Sequence, residues 1–107
     1  MYNYYSNGSI FWVKDPTAED RRKRRPMVIL WKNNEMYFLA KITSKAKKNR
    51  YCCSIDNWFE AGLDKPSYVR LDKLVNCTQS MLNKKNYIGT LEEMDWLATR
   101  SMLSSLY

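Results

Sequence analysis

The feature that most constrains the fold is a two-residue periodicity in residues 35–43. Side chains on one face of this segment are apolar: Met36, Phe38, Ala40 and Ile42. Those on the other face are mixed: Tyr37, Leu39, Lys41 and Thr43. Because successive side chains of a strand point to opposite faces, the segment predicts a strand. We expect one face on the core and the mixed face toward solvent, as in many antiparallel sheets.

Short apolar and β-branched segments separated by turn residues predict four further strands. The five predicted strands span residues 10–14, 26–31, 35–43, 51–55 and 67–74. Residues 32–34 predict a turn, so the second and third strands form a hairpin. Pro26 stands first in the second strand, where a missing N–H is tolerated. The 107 residues contain no repeat or linker, which predicts a single domain over residues 1–107.

The end of the chain predicts a helix. Thr90 and Glu93 have the spacing of a capping box, in which each side chain satisfies a backbone donor of the other residue. One predicted helix face carries Leu91, Met94, Ala98, Ser101, Met102 and Ser105. Trp96 and Leu103 lie on the opposite face. This second apolar stripe predicts either a partner protein or packing against an adjacent loop.

Charge and aromatic content narrow the class of partner. The chain has 18 basic and 11 acidic residues, a formal charge of +7. A basic surface attracts polyanions and favours nucleic acid, although a merely soluble basic protein has the same charge. Four Trp, eight Tyr and three Phe can fill a core, anchor an interface or stack on bases. A chain of this size buries a modest core, which favours dimerisation.

Composition also disfavours several kinds of site and location. The chain has no His, and its three Cys lack metal-ligand spacing, so we expect neither a metal site nor a cofactor. Buried free thiols are typical of a reducing cytoplasm. No apolar run approaches the roughly 20 residues of a membrane helix. Residues 1–8 lack the features of a signal peptide. We therefore expect a cytoplasmic protein without membrane contact.

Five fragments, in this order, resemble the MazF/PemK toxins. The first is Gly-Ser-Ile-Phe-Trp-Val at residues 8–13, followed by Asp-Pro-Thr at 15–17. The second is Arg-Pro-Met-Val-Ile-Leu at 25–30, and the third is Lys-Ile-Thr-Ser at 41–44. The fourth is Tyr-Val-Arg-Leu-Asp-Lys-Leu at 68–74, and the fifth is the C-terminal helix. The similarity covers roughly residues 8–106.

The resemblance implies a fold, an activity and partners. The family fold is a mainly β, SH3-like small β-barrel with appended helices, dimeric in most members. Its members are sequence-selective endoribonucleases of type II toxin–antitoxin systems. The chain is therefore expected to form a homodimer, to bind a cognate antitoxin protein and to cleave single-stranded RNA such as mRNA. Cleavage is expected to need no metal, because the RNA 2′-OH attacks the adjacent phosphate and leaves a 2′,3′-cyclic phosphate.

The resemblance also selects candidate site residues. The candidate catalytic residues are Glu19, Arg25, Thr43, Arg70 and Asp72. The candidate RNA-binding residues are Arg21, Arg22, Arg24, Lys41, Ser44 and Lys45. The family match selects Arg25 over Arg21, Arg22 and Arg24, whose charges either contact the RNA backbone or act only electrostatically. One loop departs from the family, since many relatives carry Gly-(His/Ser)-Glu-Gln-x-Gly before the Arg-Pro step. Here Glu19 takes the place of the family Glu, and the His, the Gln and both glycines are absent.

The residue types themselves admit two interpretations each. Arg70 and Asp72 are two apart on a predicted strand and share a face, which suits a base beside a phosphate clamp or an ordinary surface ion pair. The planar fork of Arg25 suits phosphate, or it is one more solvated charge in a basic run. The Thr43 hydroxyl can donate to a phosphate oxygen, although Thr is common at strand ends.

Two other functions fit the same fold. The first is a nucleic-acid-binding module that lost catalysis when its loop diverged. The second is a toxin that acts on a protein, because the fold also carries a gyrase poison. Cleavage of RNA by the purified protein distinguishes the nuclease from both, and a topoisomerase assay detects the gyrase poison.

Overall fold

The computed structural model describes residues 4–16, 18–19, 22–45 and 50–107. These residues form one six-stranded antiparallel sheet followed by an α-helix. The strands are β1 (Ser9–Lys14), β2 (Arg24–Asn33), β3 (Met36–Thr43), β4 (Cys52–Ile55), β5 (Ser67–Thr78) and β6 (Tyr87–Thr90). Two short 3-10 helices, Gln79–Met81 and Lys84–Asn86, precede β6, and the α-helix is α1 (Glu93–Leu106).

The strands stand in the order β4-β5-β3-β2-β1-β6. All five predicted strands are confirmed with shifted ends, and β5 runs four residues beyond the predicted end at Leu74. Strand β6 was not predicted, because four residues that include Gly89 give no clear alternation. The predicted fold class, mainly β with a C-terminal helix, is confirmed. The sheet is open rather than a closed barrel, with β4 and β6 at its edges.

The β2–β3 hairpin turns later than predicted. Lys32 and Asn33 still pair with β3, and the turn lies at Asn34, whose positive φ of 56° suits Asn. Pro26 is the third residue of β2 rather than the first. It lies opposite Trp12 of β1, and the pairing with β3 begins only at Met27, so its missing N–H does not interrupt the β2–β3 pairing.

Both faces of the sheet are buried, so the predicted solvent face of β3 is wrong. Ala40 and Ile42 lie in a core cluster that α1 covers. Tyr37 and Leu39, on the other face, lie in a second cluster covered by Leu82 and by tyrosines near the start of the chain. The alternation within β3 does not reveal that its second face is also buried, because the residues that cover that face are distant in sequence.

Helix α1 packs through the face that carries Trp96 and Leu103, and of the predicted face only Leu91 and Met102 lie on the core. Its buried and half-buried side chains are Asp95, Trp96, Thr99, Met102, Leu103 and Leu106. Met94 is 73% exposed, and Ala98, Ser101 and Ser105 are also exposed. The predicted capping box is absent, since Glu92 is the N-cap and makes no side-chain cap bond. The Thr90 hydroxyl instead lies 2.6 Å from the hydroxyl of Tyr87.

The loop at residues 56–65 bridges β4 and β6. The buried Asp95 carboxylate accepts hydrogen bonds from the backbone N–H groups of Asp56 (3.1 Å) and Asn57 (2.8 Å). Gly62 has φ +91°, and a Cβ there would lie 2.5 Å from the Ile88 carbonyl oxygen. The loop therefore packs directly on the β6 backbone. No helix in the described part is long and apolar enough to cross a membrane.

Candidate functional site

A basic groove with a volume of about 800 Å³ lies between the 56–65 loop and the ends of β2 and β3. Among the described residues that line it, the basic ones are Lys23, Arg24, Arg25, Lys45, Lys65 and Arg70, and the acidic one is Asp64. Thr43 and Ser44 add hydroxyls, and Trp12 adds an exposed indole. A groove with this excess of positive charge attracts a polyanion.

A buried carboxylate holds two cations at one end of this groove. Asp15 follows β1 and its side chain is 1% exposed. Its Oδ2 lies 2.8 Å from Nε of Arg25 and 3.2 Å from Nζ of Lys41. The Arg25 contact is a charge–charge contact without hydrogen-bond geometry. Because Arg25 remains about a third exposed, the anchored guanidinium still faces the groove.

A bulge in β5 presents a second guanidinium. Lys41 of β3 pairs with Arg70, but the preceding Ala40 pairs with Leu74, so three β5 residues between them bulge out. The bulge is tied at Leu71, whose N–H donates to the Tyr51 carbonyl (2.8 Å) and whose carbonyl accepts from the Tyr107 hydroxyl (2.7 Å).

Arg70 and Asp72 form a two-point ion pair within this bulge. Arg70 Nε donates to Oδ1 at 3.2 Å, and Nη2 donates to Oδ2 at 2.6 Å. Hydrogen bonding from Arg70 holds the pKa of the Asp72 carboxyl below its ordinary value, and the same bond raises the pKa of Arg70. Both groups are therefore charged at neutral pH. This makes Arg70 a permanently charged cation rather than a proton donor.

Thr43 ends β3 on the groove wall. Its Oγ1 accepts a hydrogen bond from the backbone N–H of Lys45 at 3.1 Å, which fixes the turn that follows the strand. The hydroxyl proton of Thr43 can then be donated elsewhere. The groove thus combines the guanidiniums of Arg24 and Arg25 from β2 and of Arg70 from β5 with the Thr43 hydroxyl from β3.

Comparison with known proteins identifies the family. The profile of the family described as PemK-like, MazF-like toxin of type II toxin–antitoxin system matches residues 6–107. The chain belongs to this family. A sequence comparison with curated proteins finds no match.

Solved toxins of the MazF type have the same fold. One is the Mycobacterium tuberculosis toxin MazF-mt6, which is 20% identical with a TM-score of 0.71, over 91% of this chain and 93% of that chain. An endoribonuclease in complex with its cognate antitoxin from Mycobacterial species is 13% identical, with a TM-score of 0.74 over 92% and 90%. The MazE–MazF complex from Deinococcus radiodurans is 17% identical, with a TM-score of 0.68 over 94% and 93%.

The structure of this PemK-like chain brings most of the predicted site residues together. Those that line the basic groove are Arg24, Arg25, Thr43, Ser44, Lys45 and Arg70. Asp72 is held to the groove through Arg70. Glu19 and Arg22 are exposed and do not line it, and Lys41 is directed to Asp15 instead. Arg21 lies outside the described residues.

Sequence reasoning missed three parts of the site in this toxin-family chain. Asp15 belongs to the family turn, and because an Asp before Pro is otherwise typical of an exposed turn, the sequence does not predict its burial. The wall formed by residues 62–65 was not assigned, because nothing local predicts its packing on β6. Trp12 was predicted only to lie in a strand, although it is in phase with the polar Lys14 two residues later, which is the sequence signal for an outward-facing ring.

None of the three cysteines lines the basic groove. Cys53 and Cys77 are buried and unpaired with each other, and Cys52 is half-buried. Burial raises the pKa of the Cys53 thiol and raises that of Cys77 to about 11, so both are neutral thiols at neutral pH. In the described ranges no three His, Cys, Asp or Glu side chains cluster as metal ligands.

Proposed function

We propose that this toxin is an endoribonuclease that cleaves single-stranded RNA by attack of the 2′-OH on the adjacent phosphate. The observation that carries the proposal is the convergence of Arg25, Arg70 and Thr43 in one basic groove. Two related solved chains are described as endoribonucleases. The nucleophile comes from the RNA itself, so the protein must supply charge stabilisation and proton transfer.

The two guanidiniums stabilise the pentacoordinate phosphorane. Fixed cationic donors aimed at developing charge contribute much of the catalysis in such reactions. Asp15 anchors Arg25 through Nε, which leaves the two terminal nitrogens of the guanidinium to donate to phosphate oxygens. Thr43 donates a third hydrogen bond through its hydroxyl proton. This arrangement requires no divalent cation.

Asp72 is the proposed base for the 2′-OH proton. In the free protein both of its oxygens accept from Arg70, which weakens the carboxylate as a base. When Arg70 turns its fork to an RNA phosphate, Asp72 loses those hydrogen bonds and its pKa rises toward the ordinary value. Substrate binding thereby strengthens the base beside the reacting hydroxyl. Glu19 in the divergent loop is the next carboxylate to test.

The proposed partners are a second copy of the chain, a cognate antitoxin and cellular mRNA. Solved relatives are described as complexes with an antitoxin or as MazE–MazF complexes. The formal charge of +7 favours an acidic antitoxin segment that covers the basic groove. An mRNA substrate places the activity in the cytoplasm.

Cleavage of a long RNA by the purified protein in EDTA, followed by mapping of the new 5′ ends, tests this function. We expect a reproducible set of cut sites. Arg25→Ala and Arg70→Ala should each lower the single-turnover rate about 10²- to 10³-fold, the usual effect of one transition-state donor. Arg100→Ala, a matched change of an exposed Arg on α1 outside the groove, should cleave like the wild type. Equal rates in all four proteins would contradict the proposal.

A further inference from the structure

A second, smaller hollow of about 240 Å³ adjoins the basic groove. Its lining includes Trp12 and Arg24, which also line the groove, so these two side chains form the boundary between the two spaces. The rest of the wall consists of Lys14 of β1 and of four residues from the two 3-10 helices and the link between them: Ser80, Met81, Asn83 and Asn86. We call this hollow the side pocket.

The side pocket has the chemistry of a nucleobase site. The indole of Trp12 is 46% exposed although it lies on a central strand of the sheet. An exposed ring beside a cationic groove provides a stacking surface for a base. The thioether of Met81, which is 45% exposed, adds a soft apolar contact.

Two asparagines line the side pocket, Asn83 and Asn86. Asn86 Oδ1 accepts from Arg24 Nη1 at 3.3 Å, and Asn83 Oδ1 accepts from the Lys85 N–H at 2.9 Å. Both side-chain oxygens already accept hydrogen bonds, and the amide nitrogens are the groups of these side chains that donate. Two such donors suit the carbonyl or ring-nitrogen acceptors of a base. Among the described residues of this lining, none is acidic, and Lys14 and Arg24 supply positive charge for the backbone.

We propose that the side pocket binds one nucleobase of the RNA that flanks the cleaved bond. Trp12 stacks on this base, and Asn83 and Asn86 donate hydrogen bonds to its edge. Arg24, at the boundary, contacts the phosphate between this nucleotide and those in the groove. The inference rests on the proposed ribonuclease function and assigns to the side pocket a part in choosing the sequence that is cut.

A non-cleavable RNA tests the pocket directly. The probe is a fluorescein-labelled hexamer centred on a mapped cut site, with methylated 2′-oxygens, and its affinity is measured by anisotropy. Abasic substitution at each position should reveal one flanking base whose loss weakens binding to the wild-type protein. Trp12→Ala should weaken binding of the intact hexamer about 5- to 150-fold, which corresponds to about 1 to 3 kcal/mol of stacking.

The decisive measurement combines the abasic RNA with the Trp12→Ala protein. If Trp12 stacks on that base, Trp12→Ala should bind the intact and the abasic hexamer equally. Trp12→Phe, which keeps a ring, should restore most of the affinity and exclude a merely structural effect. Phe59→Ala changes an aromatic side chain that is 73% exposed and lines neither space, so it should bind like the wild type.

The experiments distinguish failure of the side pocket proposal from failure of the proposed ribonuclease function. If the wild type cuts RNA but no abasic position depends on Trp12, the side pocket proposal is overturned and the ribonuclease function stands. If the wild type cuts no RNA, both are overturned. A Trp12→Ala effect that is equal at every abasic position would also contradict stacking on one base.

Discussion

Replacement of Asp15 by Asn tests how the site is held together. The change keeps the size of the side chain and removes the negative charge that Arg25 and Lys41 share at 2.8 and 3.2 Å. Removal of one partner from a buried ion pair costs about 3 to 5 kcal/mol of unfolding free energy. Arg25 is about a third exposed and can turn to water, whereas Lys41 is only 11% exposed. We therefore expect the lower end, about 3 kcal/mol.

Two assays separate the effects on stability and on catalysis. A loss of about 3 kcal/mol lowers the melting temperature by about 12 °C in a domain of this size. The single-turnover cleavage rate at a temperature where the variant is folded should fall about 10²-fold, because Arg25 loses its anchor. The double variant Asp15→Asn with Lys41→Met also removes the mostly buried positive charge that Asp15 neutralises, so it should regain stability without regaining the rate.

The reasoning about Asp15 fails on either of two results. A melting temperature equal to that of the wild type would show that the buried carboxylate does not stabilise the pair. A wild-type cleavage rate in folded Asp15→Asn would show that Arg25 needs no anchor. Recovery of the rate in the double variant would also contradict it, because Lys41→Met cannot reposition Arg25.

Three further predictions concern single side chains. Asp72→Asn should lower the single-turnover rate about 10²- to 10⁴-fold and leave the affinity for 2′-O-methyl RNA equal or slightly higher, as removal of a base predicts; an unchanged rate would shift the role to Glu19. The wild type should lose stability as the pH rises from about 9 to 11, because burial raises the pKa of the Cys77 thiol to about 11 and the folded state therefore favours the neutral thiol. Cys77→Val should lack this part of the loss. Identical dependence of the urea-unfolding free energy on pH in the two proteins would contradict this. Arg22→Ala should reduce the salt slope of RNA binding by about 1 or less and spare the saturated rate; a rate as low as that of Arg25→Ala would place Arg22 in the site.

Local periodicity predicted most of the secondary structure, but it failed where a face is buried by segments that are distant in sequence. Five strands and the helix follow from apolar spacing, because each carries its own pattern over several residues. The second face of β3 is buried by segments far along the chain, such as Leu82, which its own alternation does not reveal. The helix face was misassigned because Asp95 and Thr99, both polar, are buried against the loop and β4.

The candidate site was predictable from the family resemblance more than from residue patterns. The ordered fragments singled out Arg25, Thr43 and Arg70, and the structure places all three in the basic groove. Patterns alone left each of them with an ordinary alternative. Lys41 shows what such patterns cannot predict. It shares a strand face with Thr43, which predicted an RNA contact, but in the folded chain Lys41 pairs with Met27 and its ammonium lies beside the buried Asp15.

The most direct test of the account uses an RNA in which a single 2′-OH is missing. The substrate is an oligonucleotide that spans a mapped cut site, with deoxyribose at the nucleotide 5′ of the cleaved phosphate, incubated with the protein in EDTA. The account predicts no cleavage at that phosphate, while the unmodified RNA is cut and its upstream fragment ends in a 2′,3′-cyclic phosphate. Cleavage of the deoxy-substituted RNA at the normal rate would contradict 2′-OH attack and, with it, the roles proposed for Asp72, Arg25 and Arg70.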